Sequence, residues 1–180
     1  INLSLGGEGF SQFNRDLYRE VRSRGISVVA AAGNERSSQP SYPAGYPDVF
    51  SVSAVDAQRE LAPYSNRGSS IDLAAPGGDS GQDVNGDGYP DGVLSTDAAG
   101  TSMAAPHVSA VLALMKSVNP DLGGDDIASL LAAGELTDDA GDAGRDNDFG
   151  MGIINARKAV DAAINALGES IQAASQISAS

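Results

Sequence analysis

The stretch Ile26-Ser27-Val28-Val29-Ala30-Ala31-Ala32 decides the fold. It is a run of strand length, apolar on both of the sides that a strand presents in alternation. Such a strand has to be covered on both faces, which is the situation inside a parallel sheet. Immediately upstream, Phe10, Phe13, Leu17 and Val21 recur at the spacing of one helical face, with Gly25 as the stop. Before that helix, Ile1-Asn2-Leu3-Ser4-Leu5 reads as a further strand. Strand, helix and strand make a βαβ unit with an expected right-handed crossover.

Working outward, residues 33–47 hold Gly33, Asn34, Pro40, Pro43, Gly45 and Pro47, a loop at the carboxyl end of a strand. Ligands bind there in open α/β sheets. Residues 49–55 and 71–75 read as two more buried strands, 76–92 as a Gly/Asp/Asn-rich surface loop, and 93–95 as a last short strand. An apolar segment from Thr101 to the stop at Asn119-Pro120 predicts a helix buried on all sides. Residues 126–136 and 156–167 predict further helices, and 168–180 a frayed helical extension or a tail. The expected architecture is therefore α/β, a mostly parallel sheet flanked by helices, without internal repeats. Because the first strand follows nothing, the segment reads as a partial domain.

Composition narrows the function. The 180 residues are 41% hydrophobic, enough for one domain with a sizeable core, and the formal charge of -13 argues against nucleic acid or an anionic membrane as partner. That charge is compatible with cation binding or an extracellular setting. The absence of cysteine excludes a disulfide framework and a thiolate nucleophile or metal site. No apolar run approaches the roughly 18 residues of a membrane span.

Chemistry concentrates in Gly100-Thr101-Ser102-Met103-Ala104-Ala105-Pro106-His107. With Thr101 as the expected N-cap, Ser102 falls in the first helical turn, among unpaired N–H groups and at the positive end of the dipole. That setting suits a nucleophile that generates an oxyanion. Pro106 has no N–H, so the Ser102 carbonyl loses its i+4 donor and the turn is loosened. A nucleophilic serine needs a base within hydrogen-bond reach. His107 is the sole histidine, but five helical residues amount to about 7.5 Å of rise and about 140° of rotation, which points the two side chains apart. It reads as a packed, hydrogen-bonded structural histidine. Lys116 lies about 21 Å along the same helix, and Lys158 reads as a solvated residue of an amphipathic helix. The base of such a serine lies outside this sequence.

The octapeptide resembles the serine motif of the subtilisin-like serine proteases. Ser4-Leu5-Gly6-Gly7, Ala30-Ala31-Ala32-Gly33-Asn34-Glu35, Tyr42-Pro43-Ala44, Ala74-Ala75-Pro76-Gly77 and Gly150-Met151-Gly152-Ile153-Ile154-Asn155-Ala156 follow in that family's order. The resemblance covers residues 1–167 and implies the second half of the catalytic domain of a secreted serine endopeptidase, with 168–180 as an extension. It implies Ser102 as the acylated nucleophile and Asn34, with the Ser102 N–H, as the oxyanion hole, supported by Thr101. Ser4, Leu5, Gly6 and Ala31, Ala32, Gly33 become the walls of a pocket for the side chain preceding the cleaved bond. Ser41 becomes its floor, and Glu35 a rim residue that lets basic side chains in beside apolar ones. The catalytic Asp and His of the family precede everything here, so the implied partners are a peptide substrate and the N-terminal half of the same domain. This chain alone is expected to be inactive. The acid-active sedolisin type is disfavoured by Ala32-Gly33-Asn34.

A separate signal is Asp83-Val84-Asn85-Gly86-Asp87-Gly88-Tyr89-Pro90-Asp91. Asp83, Asn85, Asp87 and Asp91 stand at positions 1, 3, 5 and 9 of an EF-hand-like loop with glycine at 6 and Tyr89 at the carbonyl position, which predicts Ca2+. Position 12 is Leu94 rather than Glu, so a closing ligand must come from elsewhere or the site is weak. The resemblance adds a second cation site from the carbonyls of Ala44, Tyr46 and Val49 with Asp72. Asp138, Asp139, Asp142, Asp146 and Asp148 read as a solvated acidic loop. A noncatalytic calcium-binding or partner-binding module is the alternative function.

Overall fold

The computed structural model describes residues 1–84, 86–93 and 99–178, with side chains through 172. Its elements are β1 (Asn2–Leu3), α1 (Gln12–Ser23), β2 (Val29–Ala31), β3 (Phe50–Val55), β4 (Leu73–Pro76), α2 (Thr101–Val118), α3 (Gly124–Ala132), β5 (Thr137–Asp138), β6 (Ile153–Ile154) and α4 (Ala156–Ser178). They build one sheet in the order β1-β2-β3-β4-β6-β5, parallel except for the β5–β6 pair. The fold is the α/β arrangement expected from the sequence. The expected strand at 93–95 lies largely outside the described residues.

The central run is covered on both faces, as its composition requires. Val29 and Ala31 turn, with Val52, Ala54, Leu73 and Ala75, toward Ala104, Ala105, Val108, Leu112 and Met115 of α2 and toward Ala159 and Ala163 of α4. Val28 and Ala30 turn the other way, onto Ala44, Tyr46, Val49 and the α1 residues Tyr18 and Val21. On that second face Tyr46 stacks with Tyr42 at 4.6 Å, Tyr18 at 5.5 Å and Phe10 at 5.8 Å between ring centroids.

Three local expectations are corrected. The face of α1 that meets the sheet carries Tyr18 and Val21, whereas Phe13 is 75% and Leu17 47% exposed. The helix is turned about one residue from the position its apolar spacing suggested. Helix α2 is not buried on all sides, because Pro106, His107, Ala110, Ala113 and Leu114 form an exposed stripe. Small side chains make that stripe look apolar in sequence although little area would be gained by covering it. The N-cap of α2 is Gly100 rather than Thr101, and the Thr101 hydroxyl is engaged instead by Gly33 and Asn34 of the loop after β2. Helix α4 continues to Ser178, a helical extension beyond residue 167.

The C-terminal polar groups are also more committed than the sequence suggested. Lys158 is not free in solvent, since its Nζ pairs with Asp138 at 2.9 Å and donates to the Thr137 carbonyl. Asp138 belongs to β5, and the hydrogen bonds from Lys158 and Asn155 hold its carboxyl below the usual range. Asp146 accepts from the N–H groups of Asp142, Asp148 and Phe149, and Asp139 from Gly144. The acidic loop is thus folded around its own carboxylates.

Candidate active site

Ser102 is the second residue of α2, in the first turn, where backbone N–H groups have no intrahelical acceptor. Helix α2 starts directly above the carboxyl ends of β2 and β4, because Gly100 donates its N–H to Gly77 O at 3.0 Å. Gly77 has no room for a side chain, since a Cβ there would lie 2.5 Å from Ala54 Cβ and 2.9 Å from Gly100 O.

The loop after β2 brings Asn34 against the same helix start. Its Oδ1 accepts from the Thr101 N–H at 3.0 Å and from Thr101 Oγ1 at 2.9 Å, while Thr101 Oγ1 itself accepts from the Gly33 N–H at 3.1 Å. The amide oxygen is held twice, which fixes the side chain, and Asn34 lines the cavity beside Ser102. That cavity, of about 380 Å³, is lined by Leu5, Gly6, Ala31, Gly33, Asn34, Glu35, Ser41 and Ser102 among others. Ser4 and Ala32 stand outside the lining. Ser4 Oγ donates to the Ser102 carbonyl at 2.7 Å, and Ala32 is buried with its carbonyl accepting from Asn66. The Ser102 hydroxyl donates to Ser4 O at 3.4 Å.

His107 takes no part in this arrangement. It sits on the exposed stripe of α2, not packed as expected, with Nδ1 2.8 Å from Met103 O one turn back. The cavity walls are tied by backbone pairing of Gly7 with Tyr42 at 3.0 and 2.8 Å, and the Ser41 hydroxyl donates to Gly7 O at 3.4 Å.

Two residues escaped the sequence reading. Asn66, buried, donates through Nδ2 to Ala32 O and to Glu35 Oε2 at 2.9 Å each, and accepts through Oδ1 from the N–H groups of Glu35 and Ser37. One side chain therefore shapes the whole loop that carries Asn34 and Glu35. Its partners are 29 to 34 residues away, beyond any local pattern. Glu8 also lines the cavity, so two carboxylates and no Lys or Arg border it among the described residues.

In the acidic loop before α2, Asp83 accepts from the N–H groups of Gly86, Asp87 and Gly88, Asp87 from Tyr89, and Asp91 from Val84. Asn85 lies outside the described residues. Among the described residues no three His, Cys, Asp or Glu side chains are grouped to hold a metal ion. At the second expected cation site, Asp72 accepts from the Ser51 N–H at 2.9 Å and faces the Arg145 guanidinium at 3.7 Å, which also donates to Ile71 O. Burial raises the Asp72 pKa, and the Ser51 N–H and Arg145 counter it. Asp72 is thus paired with a side-chain cation.

A serine at a helix start, a neutral amide held beside it and a cavity in front are parts that nucleophilic acyl transfer can use. The sequence profile of the Subtilase family matches residues 1–152, and the chain belongs to that family. It is 32% identical over 181 residues to Minor extracellular protease Epr of Bacillus subtilis (strain 168), covering 99% of this chain and 27% of that protein. It is 36% identical over 158 residues to Subtilisin BL of Lederbergia lenta, covering 88% of this chain and 55% of that protein. A solved structure of a protease from Pseudoalteromonas arctica superimposes with a TM-score of 0.74 at 37% identity, over 91% of this chain and 50% of that one. The chain thus spans about half or less of the length of these relatives.

Proposed function

We propose that this chain is the nucleophile-bearing half of an extracellular serine endopeptidase. The observation that carries the reading is the fixed Asn34 amide beside Ser102 at the head of α2. Ser102 Oγ attacks the peptide carbonyl carbon, and its proton passes to a base supplied by the N-terminal half of the domain. The oxyanion takes hydrogen bonds from Asn34 Nδ2 and the Ser102 N–H. Collapse expels the amine, which takes up the proton from that base, and leaves an acyl-enzyme, which water releases. The name of the Bacillus subtilis relative and the net charge of -13 support an extracellular setting. Among the described residues no helix is long and apolar enough to cross a membrane.

The test is labelling by a fluorophosphonate probe, with mass spectrometry of the Ser102 peptide. The chain alone is expected to remain unlabelled, and the protein joined to its N-terminal half to be labelled at Ser102. No labelling of the joined protein refutes the assignment.

For the side chain preceding the cleaved bond, Glu8 and Glu35 at the cavity support acceptance of lysine and arginine beside apolar groups. In the joined protein, Glu35→Gln is expected to lower kcat/KM for a lysine peptide about tenfold relative to its leucine counterpart, a difference of about 1.4 kcal/mol. An unchanged ratio removes Glu35 from specificity.

The loop of residues 83–91 is assigned to Ca2+. Its oxygen-only donor set of Asp83, Asn85, Asp87, Asp91 and the Tyr89 carbonyl suits a hard cation, and Asp83 already draws the loop into a tight turn over Gly86 and Gly88. Calcium titration by calorimetry should show one site that Asp87→Ala removes. Equal affinity in the variant would falsify the assignment.

A further inference from the structure

The first turn of α2 is weakened where it matters most, since Pro106 has no N–H to offer the carbonyl of Ser102. That carbonyl instead accepts from Ser4 Oγ at 2.7 Å. Ser4 Oγ in turn accepts from Asn2 Nδ2 at 3.0 Å, and Asn2 Oδ1 accepts from Ser109 Oγ at 3.1 Å. Ser109 is on α2 as well, about 10 Å further along its axis. The four residues form a directed chain, Ser109 to Asn2 to Ser4 to Ser102, in which every proton points toward the Ser102 carbonyl. Asn2 is held at both ends of its amide, so turning it over would break two bonds at once. The chain leaves α2 two turns below Ser102, crosses to β1 and returns at the residue whose own helical bond is missing.

We propose that Asn2, Ser4 and Ser109 are positioning residues, a polar brace that sets the height and tilt of Ser102 at the proline-broken turn. The proposal rests on the reading of Ser102 as nucleophile. The bonds lie at an exposed surface, where each contributes little to folding. A displaced nucleophile, by contrast, loses rate steeply with misplacement. The brace therefore acts on reactivity and not on stability. Ser109 makes the cleanest probe, because it is outside the cavity lining and alanine is at home in a helix.

The experiment uses the protein joined to its N-terminal half. Fluorophosphonate labelling rate, kcat, KM and melting temperature are measured for wild type, Ser109→Ala, Ser4→Ala, the double variant of these two, and Ser4→Thr. Ser4→Ala is expected to lower the labelling rate and kcat about tenfold with KM and melting temperature unchanged, and Ser4→Thr, which keeps the hydroxyl, to restore most of the loss. Ser109→Ala should lower both rates about threefold and add little in the double variant, since both remove links of one chain. Wild-type rates in Ser4→Ala and Ser109→Ala overturn the brace while leaving the nucleophile in place. A loss matched by a lower melting temperature and not rescued by threonine also overturns it. An unlabelled wild-type protein removes the nucleophile assignment and the brace with it.

Discussion

Replacing Asn34 by leucine is expected to lower turnover by about 10²- to 10³-fold, the loss known for removal of this donor from subtilisin itself, with KM almost unchanged. Leucine keeps the shape of the side chain and removes both the amide and its held oxygen. The substrate carbonyl binds as before, and the charge that develops on its oxygen loses a prealigned donor. Such an interaction is made in the transition state and hardly at all in the ground state, so it appears in kcat. Thr101→Val gives a related but smaller loss. It takes away the Oγ1 bond to Asn34 and the acceptor for the Gly33 N–H, but spares the bond from the Thr101 N–H to Asn34 Oδ1. Steady-state kinetics of the joined protein on a peptide substrate checks both. Undiminished turnover in Asn34→Leu would place the oxyanion elsewhere.

Gly152→Ala is expected to destabilise the fold by about 3–5 kcal/mol, the sum of backbone strain and overpacking. Gly152 has φ +108°, and a Cβ there would overlap the Asp138 carbonyl oxygen and lie 2.9 Å from its carbon. The residue sits at the joint of three strands. Its carbonyl accepts from the Ala74 N–H at 3.0 Å, its N–H donates to Phe149 O at 2.9 Å, and β6 begins at the next residue. Shifting it away from Asp138 separates β6 from β5 and pulls on β4. In a domain of this size the melting temperature should fall by about 6–20 °C. Gly144→Ala is the control, because its φ of +81° is similar but a Cβ would meet nothing within 4 Å. If Gly152→Ala melts no lower than Gly144→Ala, the close approach to Asp138 is not what requires glycine there.

What the sequence revealed depended on how far apart the deciding residues stand. The run at 26–32 carries its own evidence of two-sided burial, and β2 with its neighbours appears where that run requires. The serine turn is legible for the same reason, since glycine, serine and proline lie within seven residues of one another. Helix α1 misled because spacing says that one face is apolar without saying which residue of that face is central. Helix α2 misled because alanine is counted as apolar whether covered or not. Asn66, the Asp72–Arg145 pairing and the Lys158–Asp138 contact were invisible, being polar groups whose partners arrive from other loops. The brace through Asn2 was equally hidden, as its links join residues about a hundred positions apart.

The stacked rings under α1 give the protein an optical property. The chain has no tryptophan and five tyrosines, so its near-ultraviolet spectrum belongs almost wholly to tyrosine, and three of the five sit in one cluster around Tyr46. Tyr42, in that cluster, pairs by its backbone with Gly7 on the cavity wall. Chromophores this close couple according to their mutual angle. A peptide that moves the wall therefore changes the circular dichroism of the chain, and the cleft carries its own unlabelled reporter.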